Sequence, residues 1–208
     1  MTQATSTATA GSPTRDRLLD AAAELFYREG VGVGVEALCR VAGVSKRSMY
    51  QLFDSKDAVL AASLERGAPA YQAFLLPSAD DDRPPRARVL HVFERLEELA
   101  AGPDFYGCPF VAVTAELKAP DHPASLVARR CKDALTAFFR EEAEHGGAGD
   151  PTLLARQLTV AFDGSSVRAV MEGQGLDGLA VATAAGLLDS AGLTTDGDAP
   201  HRGPEPTG

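Results

Sequence analysis

A short run of residues from Ser45 to Gln51 carries side chains of the kind that contact nucleic acid. Lys46 and Arg47 are cationic, and Tyr50 and Gln51 add further donors and acceptors. Cations bind phosphate, while guanidinium and amide groups hydrogen-bond to base edges in the major groove. The candidate DNA-contacting side chains are Ser45, Lys46, Arg47, Ser48, Tyr50 and Gln51. An ordinary solvated surface helix is the alternative interpretation, and the neighbouring elements decide between the two.

The segment from Val35 to Phe53 predicts two short helices joined by a tight turn. Gly43 stands where such a turn needs a residue that tolerates positive φ, and Cys39 is small enough for close helix approach. The facing apolar positions are Leu38, Ala42, Val44, Met49 and Leu52 or Phe53. The pattern favours a helix-turn-helix whose second helix presents the polar side chains of residues 45–51.

The charge distribution agrees with a locally basic surface on an acidic protein. The chain has 20 Lys and Arg against 29 Asp and Glu, a net charge of −9. Residues 1–60 hold seven of each sign, so the remaining 13 basic and 22 acidic residues carry the whole excess. Between Ser45 and Lys56 three side chains are basic and one, Asp54, is acidic. Because phosphate binding needs a positive surface rather than a positive protein, the acidic total does not exclude DNA.

Other function classes find little support in the sequence. The cysteines, Cys39, Cys108 and Cys131, form no close pair, and the four histidines are scattered along the chain, so we expect reduced thiols and no metal or other cofactor. The glycines at 30, 32 and 34 follow a helix rather than a strand, which argues against a dinucleotide-binding loop. No catalytic set of Ser, His and Asp stands out, so we predict that the chain is not an enzyme. It lacks both the membrane-spanning run of about 18–20 apolar residues and the pattern of a signal peptide, so we expect a cytoplasmic protein without a membrane partner.

Helical periodicity covers almost the whole chain, and no segment alternates as a strand does. The predicted fold is therefore all-α with about nine helices. Helix-starting residues and Gly or Pro breaks place them at 13–28, 35–42, 45–53, 55–64 and beyond, 85–100, 108–118, 123–145, 151–174 and 176–190. Ser12 and Ser45 are the predicted N-caps of the first and third helices, and Pro69 is predicted to bend or break the fourth.

From Thr14 to Leu64 the sequence resembles the N-terminal domain of TetR-family transcriptional regulators. The stretches TRDRLLDAAAELFYREG, AGVSKRSMYQLF and SKDAVLAASLE stand in the family's order and spacing. The resemblance implies a homodimeric repressor that binds a palindromic operator in double-stranded DNA and is released by a small-molecule effector. It also implies that residues 45–53 are the recognition helix and that Lys56 contacts a backbone phosphate. Gly34 departs from the family's usual Ser or Thr, so a side-chain phosphate contact is lost while backbone N–H groups remain.

The resemblance further implies a helical domain that binds the effector and dimerises. We assign residues 13–60 to the DNA-binding domain and 61–192 to this second domain, with disordered tails at 1–12 and 193–208. Side chains of the fifth to seventh helices are candidates to line a ligand cavity, although ordinary core packing is the commoner role of each. These candidates are Phe93, Leu96, Phe105, Tyr106, Cys108, Phe110 and Phe138.

The last two helices carry small side chains on apolar faces. Small residues permit close helix approach, which suits a four-helix dimer interface and also tight packing within one chain. The resemblance favours the interface. The candidate interface residues are Leu158, Phe162, Ser165, Ala169, Ala182 and Ala185.

Three alternatives to a ligand-released repressor stay open. An activator would use the same DNA contacts, and a ligand-independent structural DNA binder would lack the cavity of several hundred Å³ that a sensor needs. A thiol-based redox sensor would use Cys108, with Cys131 as its partner, because a helix N-terminus lowers the pKa of a thiol. Residues 107–110, Gly-Cys-Pro-Phe, resemble an element at the start of the sixth helix in one branch of the family.

Overall fold

The structure is a computed structural model that describes residues 13–194. Within this range the chain forms nine α-helices and no strand. They are α1 Pro13–Glu29, α2 Val35–Ala42, α3 Lys46–Leu52, α4 Lys56–Leu75, α5 Pro85–Ala100, α6 Pro109–Leu117, α7 Pro123–His145, α8 Pro151–Glu172 and α9 Leu179–Ser190. The predicted all-α fold is confirmed. The Ser12 cap, the predicted tail at 1–12 and residues 195–208 of the predicted tail at 193–208 lie outside the described residues.

The helix boundaries follow local chemistry except at two points. α4 continues through Pro69 to Leu75 instead of breaking there. Pro69 and Glu65, whose carbonyl would accept the missing N–H, are both exposed, so access to solvent lowers the cost. α9 begins at Leu179 rather than at residue 176. None of the described helices is long and apolar enough to cross a membrane.

The late start of α9 has a cause on another helix. Gly178 precedes α9 with a φ of 86°, in the left-handed region that glycine tolerates. The carboxylate of Glu97 on α5 accepts the Gly178 N–H at 2.8 Å and the Val181 N–H at 3.0 Å. A side chain distant in sequence therefore caps this helix N-terminus, which has no cap of its own.

The described residues group into two compact units. The first unit comprises residues 13–68 and 112–128, and the second comprises 69–111 and 129–194. α4, α6 and α7 each contribute residues to both units. The first unit thus takes in residues 112–128, which the sequence analysis assigned to the second domain.

The core of the first unit unites four N-terminal helices with a later segment. α1 buries one apolar face, and Met49 of α3 is fully buried in the same cluster. Val113 and Ala124 belong to the same buried cluster, which explains why the segment 112–128 packs here. The buried face of α1 consists of Leu18, Leu19, Ala21, Ala22, Leu25 and Phe26.

The core of the second unit is centred on three phenylalanines. Phe93 of α5 stacks on Phe139 of α7 with ring centroids 5.8 Å apart, and it meets Phe162 of α8 edge-on at 6.2 Å. Each ring is fully buried, and burial of such side chains contributes about 1.5–3 kcal/mol apiece. Leu193 is also buried, so the packed part of the chain extends past residue 192, where the sequence analysis ended the domain.

A buried ion pair connects α5 to α7. Nε of Arg88 lies 2.9 Å from Oε1 of Glu142, and the Glu142 side chain is only 8% exposed. The Arg88 guanidinium also donates to the carbonyl of Asp81 at 2.7 Å. Arg88 therefore contacts both the segment before α5 and the carboxylate of Glu142 on α7.

We expect Arg88→Met to lower the free energy of unfolding by about 3–5 kcal/mol, because Glu142 would remain buried without its cation. Urea unfolding at fixed protein concentration measures the change. The control is Arg140→Met, whose exposed pair with Glu144 spans 3.9 Å and should contribute under about 1 kcal/mol. Equal losses in the two variants would contradict this account of the core.

Candidate DNA-binding site

The turn between α2 and α3 depends on Gly43. This residue has a φ of 63°, and its N–H donates to the Arg40 carbonyl at 3.2 Å while the Val44 N–H donates to the Cys39 carbonyl at 3.0 Å. These bonds satisfy the last carbonyls of α2 as the chain reverses. A side chain in the left-handed conformation costs about 1–2 kcal/mol, so glycine suits this position.

α3 is started by the side chain predicted to cap it. Oγ of Ser45 accepts the Ser48 N–H at 3.0 Å, and the two hydroxyls lie 2.9 Å apart. Ser45 is exposed and Ser48 is half-buried. Both serines therefore fix the start of α3, while only Ser45 lies fully on its exposed side.

The rotation of α3 about its axis is set by Met49. Its side chain is fully buried, which directs Arg47, Tyr50 and Gln51 away from the core. Tyr50 is 53% exposed, an unusual position for a large aromatic ring. Within the described residues, no hydrogen bond or ion pair engages the side chains of Arg47 and Gln51. The structure thus brings the polar side chains predicted on this helix to one outer surface.

Lys46 shares that surface with an acidic neighbour on α2. Its ammonium forms an ion pair with the exposed carboxylate of Glu36. The hydrogen bond from Lys46 lowers the pKa of Glu36, so this carboxylate stays ionised. The positive charge of Lys46 is consequently balanced within the protein, whereas that of Arg47 is not.

The backbone of Val31, between α1 and α2, is held by hydrogen bonds at both its carbonyl and its N–H. Nζ of Lys56 donates to the Val31 carbonyl at 2.7 Å, and Oε2 of Glu116 on α6 accepts the Val31 N–H at 2.8 Å. Gly30 has a φ of 82°, and a Cβ there would approach Glu116 to 2.5 Å. We call these contacts the Val31 clamp. Lys56, predicted as a phosphate contact, is half-buried in this clamp, although its ammonium retains further N–H donors.

Glu116 is a residue of this site that the sequence alone does not reveal. It stands 85 residues from Val31, and no local pattern marks an acidic residue on α6 as the acceptor for a distant backbone N–H. Only the packing of residues 112–128 with the first unit brings the two together.

The second unit contains a cavity with largely apolar walls. Its volume is about 20 Å³, room for roughly one water molecule. Of the predicted lining residues, Cys108 and Phe110 border it. Phe93 and Leu96 are fully buried core residues, and Phe105, Tyr106 and Phe138 are half-buried outside the lining. The lining consists of Tyr71, Gln72, Leu75, Leu76, Cys108, Phe110, Cys131, Lys132, Leu135 and Phe162.

The candidate interface residues lie mostly on the inner faces of α8 and α9. Leu158, Phe162 and Ala169 are buried within the unit, Ser165 and Ala185 are half-buried, and Ala182 is exposed. Other apolar side chains face outward from the same helices. We call them the outer stripe: Leu153, Val160, Val167, Val170 and Met171 of α8, with Leu179 of α9.

Comparison with known proteins decides the family. Residues 18–63 match the family model of bacterial regulatory proteins of the tetR family. The chain is 60% identical to a TetR transcriptional regulator of Streptomyces avermitilis, over 88% of this chain and 100% of that one, with a TM-score of 0.85. The chain belongs to the TetR family. It is a DNA-binding transcriptional regulator, in a family of regulators rather than enzymes.

Two solved structures with lower sequence identity share the fold. A TetR-family regulator of Streptomyces coelicolor is 23% identical over 86% of this chain and 96% of that one, with a TM-score of 0.79. Escherichia coli NemR, in its reduced form, is 24% identical over 83% of this chain and 95% of that one, with a TM-score of 0.73. The search of curated proteins finds no match. The resemblance seen in the sequence is thus confirmed for the family and its fold.

We expect substitutions on α3 to separate positioning from base recognition. Tyr50→Ala should weaken binding to all DNA sequences, because a contact between Tyr50 and the phosphates would orient the protein on the duplex without recognising bases. Arg47→Ala or Gln51→Ala should alter base preference by about 1–3 kcal/mol where a base contact is lost. Binding titrations against a set of operator variants measure both effects.

The matched control is Arg17→Ala, which removes an exposed cation from α1 of the same unit. It should leave base preference unchanged. An unaltered preference profile in both Arg47→Ala and Gln51→Ala, with helicity retained by circular dichroism, would show that the outer surface of α3 does not recognise bases.

Proposed function

We propose that the chain acts as a homodimeric repressor that binds a palindromic operator in double-stranded DNA and is released by a small-molecule effector. The observation that carries the DNA part is the outer surface of α3, where Arg47, Tyr50 and Gln51 are exposed beside a fully buried Met49. The start of this helix is capped and its preceding turn is closed by Gly43. A rigid, exposed helix of this kind is suited to the major groove.

The outer stripe supports dimerisation. Val160 and Met171 are 71% and 74% exposed, values that are uncommon for large apolar side chains. Leu153, Val160 and Val167 recur at intervals of seven residues, which places them along one side of α8. Gly164 lies among them in an open groove and permits a second helix to approach closely. A twofold dimer would cover this stripe with its own copy and require inverted half-sites in the operator.

The release step is supported by the helices that contribute to both units. α4 carries Lys56 of the Val31 clamp near its start and Leu75 of the cavity lining at its end. α6 carries Phe110 of the lining and Glu116 of the clamp. The cavity is too small for an effector in this conformation, so binding must move lining side chains. Displacement of either helix would disturb the clamp that orients the helix-turn-helix.

One observation favours thiol-based sensing as a second candidate. Cys108 and Cys131 border the same cavity, and neither forms a disulfide. Cys108 is only 2% exposed, however, and an oxidant reaches a buried thiol slowly. The variant carrying both Cys108→Ser and Cys131→Ser separates the two functions. It should keep its response to an effector under our proposal and lose it under thiol sensing.

We expect Val160→Glu to weaken the dimer and, with it, operator binding, because a carboxylate would be buried where two outer stripes meet. Analytical ultracentrifugation and operator titration of the same samples measure the two losses. Thr152→Glu, an exposed polar position on α8, is the matched control and should keep both properties. A stable Val160→Glu dimer, or full operator affinity in a monomer, would overturn the proposed assembly.

We also expect effector and operator to weaken each other by one common factor, about 5- to 150-fold, as equilibrium coupling requires. An effector found by thermal-shift screening is titrated with and without operator, and the operator with and without effector. Equal effector affinities in the two titrations would rule out the release mechanism for that compound.

A further inference from the structure

We infer that the effector is an uncharged, mostly hydrocarbon molecule that presents one hydrogen-bond acceptor, such as a carbonyl oxygen, to Lys132 inside the cavity of the second unit. This inference rests on the proposed function and specifies the ligand of that same site. It follows from the charges, donors and apolar surface that meet at the cavity wall.

The lining combines a hydrocarbon surface with a single cation. Leu75, Leu135 and Phe162 are buried and offer apolar contact to a ligand body. Among the described residues that border the cavity, Lys132 alone is charged, and the Gln72 amide and the Tyr71 hydroxyl are further polar groups. Pockets of this composition bind molecules by apolar contact and orient them through a few polar groups.

The ammonium of Lys132 has unused donor capacity. It forms an ion pair with Asp163 and lies 4.6 Å from the ring centroid of Phe162. Its side chain is 18% exposed, and its nitrogen is shielded from solvent without a well-aligned hydrogen bond among the described residues. An ammonium offers three N–H donors, and a shielded donor without an acceptor is unfavourable. An acceptor atom on a ligand would meet this requirement.

The charge balance selects an uncharged ligand. Lys132 and Asp163 together are neutral, and the rest of the lining carries no formal charge. A carboxylate ligand would place a second anion beside Asp163, and an amine would place a second cation beside Lys132. Either would leave one uncompensated charge in apolar surroundings, which is costly. A carbonyl oxygen accepts from Lys132 and leaves the pair intact.

The size of the cavity restricts the first probes to small molecules. Its volume of about 20 Å³ requires lining side chains to move even for one aromatic ring. Gln72 and Leu76 are half-buried, so they have more freedom to move than the buried Leu75 and Leu135. Single-ring probes of matched size therefore test the chemistry with the least rearrangement.

Four such probes test the inference without DNA: acetophenone, ethylbenzene, benzoate and benzylamine. We expect acetophenone to bind the wild-type chain about fivefold or more tightly than ethylbenzene, the gain from one added hydrogen bond, and more tightly than either charged probe. Ligand-observed NMR titration measures the four affinities. A charged probe that binds as tightly as acetophenone, or no binding by any probe, would overturn the inference.

Substitution locates the effect at Lys132. In the variant with Lys132→Met and Asp163→Asn, which removes both charges together, acetophenone should lose its advantage over ethylbenzene. Lys118→Met, an exposed lysine of the first unit, is the matched control and should retain it. An advantage that survives the double substitution would overturn the role of Lys132. If the double variant does not fold, the wild-type order of the four probes still decides.

The outcome is separable from that of the proposed function. The expected order of probe affinities, combined with no change in operator affinity at saturating probe, would support the inferred ligand class and contradict effector release. Release of operator by a compound, combined with a different order of the four probe affinities, would support the proposed function and overturn this ligand class.

Discussion

The Val31 clamp is the constraint on which the DNA-binding unit most depends. The turn between α1 and α2 sets the direction in which the helix-turn-helix leaves α1, and Lys56 and Glu116 hold the carbonyl and the N–H of Val31 in that turn. Glycine suits position 30 because its φ of 82° lies in the left-handed region that other residues rarely adopt, and a Cβ there would also displace the Glu116 carboxylate. The turn between α1 and α2 thus depends on a side chain of α6 that lies 85 residues later in the sequence.

Local charge balance shapes both sites of the proposed mechanism, the outer surface of α3 and the cavity of the second unit. On the first unit, Glu36 neutralises Lys46 and leaves Arg47 as the cation of α3 whose charge is not balanced by an ion pair. In the second unit, Asp163 neutralises Lys132 and leaves N–H donors beside an apolar cavity. In both places the nearby charges, and not the net charge of −9, set the electrostatic environment of a phosphate or a ligand, because salt screens distant exposed charges.

The sequence predicted those features that short segments determine alone. Ser45 caps α3 and Gly43 ends α2 as expected, because both act on backbone groups within four residues. The start of α9 was placed too early because its cap, Glu97, comes from α5. The sequence does not show which of the two apolar sides of α8 is buried. Val160 and Phe162 are both apolar in a helix with two apolar sides, and only packing shows that Phe162 is buried and Val160 exposed. The cavity lining depends on packing in the same way, because Phe93 and Phe110 are the same residue type and only Phe110 borders the cavity.

The affinity of Glu116→Ala for DNA, measured over a series of salt concentrations, tests the central claim most directly. Removing an acidic charge from a DNA-binding unit should by electrostatics alone strengthen binding, as expected for the control Glu29→Ala, an exposed acid on α1. The clamp account predicts the opposite sign for Glu116→Ala. Affinity should fall by about 1 kcal/mol or more, roughly fivefold, because the turn loses its acceptor. The salt dependence should not change, because Glu116 contacts no phosphate. Unchanged or tighter binding by Glu116→Ala would contradict the account.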